Sequence, residues 1–293
     1  MPSRPVFRFA PSPNGFLHLG HALSALTGAQ WAKRKGGRFL VRIEDYDTAR
    51  SRPEFVAGVL EDLAWLGIEW EKPELRQSEH TPVYQAAAQR LRDLGLLYPC
   101  FATRTEIEAA ATSGAVDPDG APLYPGLHKG MSADAVSARR ARGELFCWRL
   151  DMERALVLAA GKLGAEKLAF TELNTDGTSR RIAADPARWG DAIMVRKDAP
   201  ASYHLAVVVD DARQGVTHVT RGQDLFASTD VHRLLQVVLD LPEPLYAHHA
   251  LILDVDGRKL SKSKGATSLA TLRGQGAVAA DIRRQLGFQD SDI

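Results

Sequence analysis

The order of apolar segments predicts an α/β protein, a parallel sheet wrapped by helices and interrupted by an insertion. Three observations carry this. Strand-like and amphipathic helical runs alternate up to Cys100, residues 103–143 are then rich in Ala, Gly, Ser and Asp, and the alternation resumes near Ala192. Strands alternating with helices are the pattern of parallel βαβ units. The expected organisation is one catalytic-sized domain from residues 1–100 and 189–265, an inserted α+β domain over 101–188, and a short C-terminal tail over 266–293.

Val6 to Ala10 reads as a strand, stopped by Pro11-Ser12-Pro13-Asn14-Gly15, because proline lacks a ladder donor and glycine favours turns. Leu19, Ala22, Leu23, Leu26 and Gln30 fall at helical spacings within His18 to Lys35, and Gly36-Gly37 ends that run. Arg38 to Ile43 is a second strand. Glu54 to Leu66 is an amphipathic helix with Val56, Val59, Leu60 and Leu63 inward. Thr81-Pro82 opens a further helix to about Leu94, with a capping residue followed by proline in the first turn. Within the insertion, Leu145 to Leu150 and Ala169 to Leu173 look strand-like. Ala192 to Arg196, Val216 to Thr220 and Leu251 to Leu253 are read as strands, and Asp224 to Leu239 as a helix.

Composition excludes several classes. No run approaches the roughly 18 apolar residues of a membrane helix, and Met1 to Pro5 carries no signal-peptide pattern. Only two cysteines occur, Cys100 and Cys147, which argues against a disulfide scaffold and fits a reducing cytoplasm. A net charge of +1 leaves no bulk field for nucleic acid, although a local patch suffices for RNA. Of the basic clusters, Lys33-Arg34-Lys35 and Arg139-Arg140-Ala141-Arg142 read as solvated helix ends. The third, Arg258 to Lys264, lies on a Gly/Ser loop.

Two segments carry chemistry. In Arg8-Phe9-Ala10-Pro11-Ser12-Pro13-Asn14-Gly15-Phe16-Leu17-His18-Leu19-Gly20-His21, a strand ends, a Pro/Gly loop follows and a helix begins. A helix N-terminus offers free N–H groups and a positive dipole end to phosphate. His18 and His21 share a face, and Gly20 removes a side chain where a base could approach. In Lys259-Leu260-Ser261-Lys262-Ser263-Lys264-Gly265, lysines on a loop suit a transition state that gathers negative charge on phosphorus.

These residues resemble the two signatures of class I aminoacyl-tRNA synthetases. His18-Leu19-Gly20-His21 is similar to their HIGH motif and Lys259-Leu260-Ser261-Lys262-Ser263 to their KMSKS motif, with Leu in place of Met. Phe9-Ala10-Pro11-Ser12-Pro13, Arg42-Ile43-Glu44-Asp45, Tyr203 to Asp211 and Gly215 to Asp224 resemble the glutamyl branch. The resemblance runs from residue 5 to about 265 and is weakest between 103 and 188. It implies a Rossmann-like catalytic domain with an inserted domain, and formation of glutamyl-adenylate and pyrophosphate from L-glutamate and ATP, with Mg2+ accompanying ATP. It further implies that Arg8, Phe9, Ala10, Pro11, Ser12, Glu44, Tyr203 and Arg221 form the glutamate site. ATP falls to His18, Gly20, His21, Lys259 and Lys262, of which His18, His21 and Lys262 are the catalytic set. Guanidinium groups suit carboxylates, and Glu44 suits the substrate ammonium.

Longer members of the branch continue past the lysine loop into a helical anticodon-binding region, whereas here only residues 266–293 follow. The resemblance is therefore to the branch's stand-alone cores, which attach glutamate to queuosine in the anticodon of tRNA(Asp). A truncated or split enzyme charging tRNA(Glu) is the alternative, and an idle tRNA- or amino-acid-binding paralogue a third. No protein partner and no membrane are implied. The family's zinc pattern in the insertion, a Cys-x-Cys pair followed by a Tyr and a Cys, is only partly kept: Cys100 and Tyr124 remain, Ala102 stands for the second cysteine and His128 for the last. These donors are too few for a closed tetrahedral site, so a zinc-free insertion is expected. If Lys262 stabilises the transition state, Lys262→Ala slows glutamate-dependent ATP–pyrophosphate exchange by roughly a hundred- to a thousand-fold. The half-saturating glutamate should move far less, and an unchanged exchange rate at saturating ATP would remove Lys262 from this role.

Overall fold

The computed structural model describes residues 4–47, 49–174, 176–253 and 267–293. Strand β1 (Val6–Phe9) leads through the Pro/Gly loop into α1 (Leu19–Arg34), and β2 (Arg38–Ile43) into α2 (Pro53–Trp65). Strand β3 (Glu71–Arg76) and α3 (Thr81–Asp93) follow, then β4 (Leu97–Cys100). Two short helices, α4 (Arg104–Ala110) and α5 (Ala133–Ala141), have no buried residue. Strand β5 (Cys147–Leu150), α6 (Met152–Leu163), β6 (Ala169–Leu173), β7 (Ser179–Ala183) and β8 (Ile193–Val195) complete the middle of the chain. The last part comprises α7 (Tyr203–Arg213), β9 (His218–Gly222), α8 (Ser228–Val238), β10 (Leu245–His249), α9 (Leu269–Gly274) and α10 (Ala279–Gln285).

Seven strands form one sheet in the order β3-β2-β1-β9-β10-β6-β7. All neighbours are parallel except β6 and β7. Strand order reverses between β1 and β9, the switch point at whose carboxyl end open α/β sheets bind ligands. One apolar cluster joins Phe7, Phe9, Leu26, Ile43 and Leu63 to Leu269 and Ile282; a second joins Tyr84, Leu91, Leu150, Leu205, Leu234 and Leu235. The first draws on α1, α2, α9 and α10, the second on α3, α6, α7 and α8, so helices cover the sheet in two groups.

Two of the expected boundaries move. β6 and β7 lie inside the expected 101–188 insertion, yet β6 pairs with β10 in the main sheet. Conversely, β4 and β8 fall in the expected catalytic halves but sandwich β5 in a separate three-stranded antiparallel sheet. Strand pairing, unlike local composition, is decided by which edge remains open. The expected tail is part of the core: Leu269 is fully buried, Ile282 and Phe288 nearly so. Strand β10 also occupies 245–249, whereas the run Leu251 to Leu253, read as a strand, makes only an isolated bridge at Leu253.

Candidate active site

Arg8, Phe9, Ala10, Pro11, Ser12, His18, Gly20, His21, Glu44, Tyr203 and Arg221 all border one cavity of about 680 Å³. It opens at the carboxyl ends of β1, β2, β9 and β10, with the starts of α1 and α7 facing it. Lys259 and Lys262 lie outside the described residues. The residues flanking their segment are at the site: Ile252 borders the cavity, and Ser268 forms a bridge with His18.

His18 is the N-cap of α1 rather than a residue within it. Its Nδ1 accepts from the Gly20 N–H at 3.1 Å, and His21 Nδ1 accepts from the His18 N–H at 3.1 Å. The two rings lie 3.9 Å apart between centroids. This reciprocal cap uses imidazoles where Ser and Glu are usual. It also adds a reason for Gly20, because a Cβ there would sit 2.9 Å from the His18 ring.

The charged residues divide into two groups. Asp211, buried on α7, accepts from Arg8 Nε at 3.0 Å and pairs with Arg42 Nη2 at 2.8 Å. Burial opposes its ionisation, but the two guanidinium groups overcome this and hold its carboxyl below the usual range. Glu44 lies 3.5 Å from Arg42 Nε, and its backbone N–H donates to the Pro11 carbonyl. Burial pushes its carboxyl up to about 7 despite the pull of Arg42 and Arg8. An ion pair between Arg8 and Glu44 themselves is not formed; each is held by another residue.

Arg221, 5% exposed, differs. Nε donates to His248 Nε2 at 3.0 Å, Nη1 reaches Tyr203 Oη at 3.3 Å and His232 Nδ1 at 3.2 Å, and Nη2 donates to Thr229 Oγ1 at 2.6 Å. None of these partners is a carboxylate. Burial and the nearby Arg221 charge both hold the His232 and His204 imidazoles below their ordinary range, His204 at about 4. A guanidinium only donates, so His232 Nδ1 must accept; its Nε2–H then donates to His204 Nδ1 at 3.2 Å. Of these residues, sequence reasoning missed Asp211 as an anchor, although two acidic residues, Asp210 and Asp211, directly follow the apolar Leu205 to Val209 run of α7.

The cysteine cluster of the small sheet does not fit a zinc ion. Tyr124 Oη lies 3.3 Å from Cys100 Sγ and accepts from the His128 N–H at 2.8 Å, while His128 Nδ1 accepts from the Phe101 N–H at 3.2 Å. The Arg149 guanidinium stands 3.9 Å over the Tyr124 ring. The adjacent Cys147 thiol, then Tyr124, His128 and Arg149, hold the Cys100 thiol below its ordinary range. Tyr124 is thus engaged by Cys100 and by the His128 backbone, the His128 Nδ1 by the Phe101 backbone, a protein cation stands over the Tyr124 ring, and Ala102 contributes no donor.

The strand-loop-helix turn at the switch point of the parallel sheet suits a nucleotide's phosphates, and beside it lies a pocket bearing both charge signs. Residues 6–288 match the family of class I tRNA synthetases (E and Q), catalytic domain, and the chain belongs to that family. It is 44% identical to the glutamyl-Q tRNA(Asp) synthetase of Rhodobacter capsulatus over 97% of this chain and 100% of that protein. The enzyme of the same name from Symbiobacterium thermophilum is 40% identical, over 96% of this chain and 85% of its own. In fold, a glutamate-tRNA synthetase from Elizabethkingia anophelis superposes with a TM-score of 0.76 at 24% identity, covering 97% of this chain and 61% of that one.

The raised Glu44 carboxyl has a stability consequence. A carboxyl whose folded-state pKa exceeds its unfolded value of 4.5 contributes stability that is complete below 4.5 and lost as pH rises through about 7. Glutamine mimics the protonated form. Glu44→Gln is therefore expected to melt above the wild type at pH 8, with the gap narrowing as pH falls towards 5; a gap independent of pH in thermal melts would contradict this.

Proposed function

We propose that the chain condenses L-glutamate with ATP to glutamyl-adenylate and transfers the glutamyl group to the queuosine base in the anticodon of tRNA(Asp). The observation that carries the glutamate reading is Arg221, a buried cation at the cavity whose hydrogen-bond partners among the described residues are all neutral. A buried charge without a counter-ion costs several kcal/mol, and a substrate carboxylate supplies the missing charge. Glu44 offers the complementary site for the ammonium, whose arrival draws its carboxyl back to the ionised form. Tyr203 and Arg8 complete this site, with the Phe9 to Ser12 turn as its wall.

ATP lies against the start of α1, where Gly20 and the cap formed by His18 and His21 present the helix N-terminus to its phosphates. Mg2+ enters with those phosphates. One oxygen of the glutamate α-carboxylate attacks the α-phosphorus, the bond to the bridging oxygen breaks, and pyrophosphate leaves with that electron pair. No protein nucleophile is needed. Lys262 and Lys259 serve the charge that develops on the phosphates. The α-carboxylate must reach phosphorus near α1, so Arg221 takes the side-chain carboxylate and thereby selects glutamate over glutamine.

The names of the two relatives that match along most of their lengths support queuosine as the acceptor. A glutamate–tRNA ligase from a Methylobacterium is also 40% identical, but over 57% of its length. The expected outcome is activation of glutamate without tRNA, then transfer to queuosine-containing tRNA(Asp) and none to tRNA(Glu). Periodate destroys both the terminal ribose diol and the cyclopentenediol of queuosine, and terminal repair restores only the former. Repaired tRNA that still accepted labelled glutamate would replace this reading by 3′-end charging.

A further inference from the structure

We propose that Glu172 and His248 are positioning residues that hold Arg221 ready for a carboxylate by supplying its counter-charge across an imidazole. This rests on the reading that Arg221 receives a substrate carboxylate. The three residues sit on the neighbouring parallel strands β6, β10 and β9, where His248 is the register partner of Arg221 and Tyr246 that of Glu172. Glu172 Oε1 accepts from the His248 backbone N–H at 2.9 Å, and its two carboxylate oxygens lie 3.1 and 2.9 Å from His248 Nδ1. The His248 side chain is fully enclosed and that of Glu172 is 6% exposed.

The tautomer follows from the partners. Arg221 Nε–H can only donate, so His248 Nε2 carries the lone pair and Nδ1 carries the proton that Glu172 accepts. Protonated His248 would set an N–H against the Arg221 N–H and remove its acceptor. Burial, together with the Arg221 charge and against the pull of Glu172, keeps the imidazole below its ordinary 6.5. The other groups facing it are Tyr246 on its own strand, Thr229 on α8 and Phe226 before that helix, with His249 and His232 near enough for their charge to matter.

The contrast with Arg8 shows what the spacing achieves. Arg8 is bound directly by Asp211, which neutralises it and fills two of its donors. A carboxylate placed so on Arg221 would occupy the position a substrate needs. Setting the anion one ring away fixes the plane of the guanidinium through Nε and leaves the charge on the cavity side uncancelled. Glu172 lies within the segment whose sequence reads as an insertion, and only the pairing of β6 with β10 brings it to the site.

The test is glutamate-dependent ATP–pyrophosphate exchange over a pH series, with thermal melts to confirm folding. His248→Leu is expected to raise half-saturating glutamate about tenfold to a hundredfold, the worth of a hydrogen bond to a charged group. The value for ATP should stay within about twofold, as expected for a loss confined to glutamate binding. His248→Gln, whose amide can accept from Arg221 and donate to Glu172 but cannot protonate, should recover most of the loss. In wild type, kcat/KM for glutamate should lose one proton's dependence as Glu44 protonates and a second below 6.5; His248→Gln keeps only the first. Glu172→Gln, removing the charge that favours the imidazolium, should move the second limb to lower pH. Equal effects of Leu and Gln at position 248, or an unchanged acid limb in both the His248→Gln and Glu172→Gln variants, overturn the proposal. Arg221→Ala separates the two levels: if it leaves the glutamate titration unaltered, the glutamate reading itself fails, whereas a large effect there with no effect at positions 172 and 248 sinks only the relay.

Discussion

The arrangement of the site depends on one buried cation, Arg42. Its side chain is wholly enclosed, and from β2 it reaches Asp211 at 2.8 Å and Gln214 at 2.9 Å at the end of α7, and Glu44 at 3.5 Å one residue beyond its own strand. Asp211 also holds Arg8 on β1. A single guanidinium thus ties two strands from the start of the chain to a helix from its second half. Such a network is not cheap, since each ion loses its hydration, but removing Asp211 strands both guanidinium groups, at a cost of about 3–5 kcal/mol. The charges therefore specify how α7 docks, and with it where Tyr203, at the first turn of the same helix, meets the cavity.

Around that anchor the fold explains why residues far apart in sequence share one cleft. Parallel strands all point their carboxyl ends the same way, and at the reversal between β1 and β9 the flanking helices diverge. The turn after β1, Glu44 after β2 and Arg221 near the end of β9 consequently arrive at one edge. The segment that follows the lysine stretch returns to the same edge: the Leu269 N–H donates to the Leu17 carbonyl at 2.8 Å, beside the His18 cap. The short helices after it pack under α1 and α2, which is why Leu269, Ile282 and Phe288 are core residues.

The first two strands and the first three helices were legible because each carries its own signal: an apolar run, a cap, a proline, a glycine stop; β3, largely exposed and interrupted by Pro73, has no apolar run. The motif residues were legible for the same reason, being contiguous. What escaped was non-local. Residues 169–173 were read correctly as a strand, yet nothing in Ala-Phe-Thr-Glu-Leu says that β10 is its partner rather than β5. The roles of His18 and His21 were open to sequence only up to their spacing, because a histidine as a helix cap is visible only once its ring is placed. Glu172 and His248 fall 76 residues apart and gain meaning only from the order β9-β10-β6.

The electrostatics of the cleft show how stability and binding are traded. Asp211 is compensated twice, by Arg8 and Arg42, and resists protonation. Glu44 and Arg221, by contrast, are each under-compensated, one with a raised carboxyl and the other with neutral partners. The cleft thus keeps a carboxyl that burial pushes up to about 7 despite Arg42 at 3.5 Å, and a guanidinium with no carboxylate in direct contact among the described residues, which no folding argument favours. Under the proposed function, a zwitterion carrying a further carboxylate brings an ammonium to Glu44 and a carboxylate to Arg221 together, so part of its binding free energy comes from relief of a cost the folded protein already bears. The same argument gives selectivity. An uncharged amide at Arg221 would leave the guanidinium uncompensated, and a ligand lacking the ammonium would leave Glu44 to take up a proton instead. Recognition then follows from what the protein leaves incomplete, provided that the incomplete groups cannot collapse onto each other, and the Arg42–Asp211 anchor on one side and the strand-borne contacts of Arg221 on the other are what hold them apart.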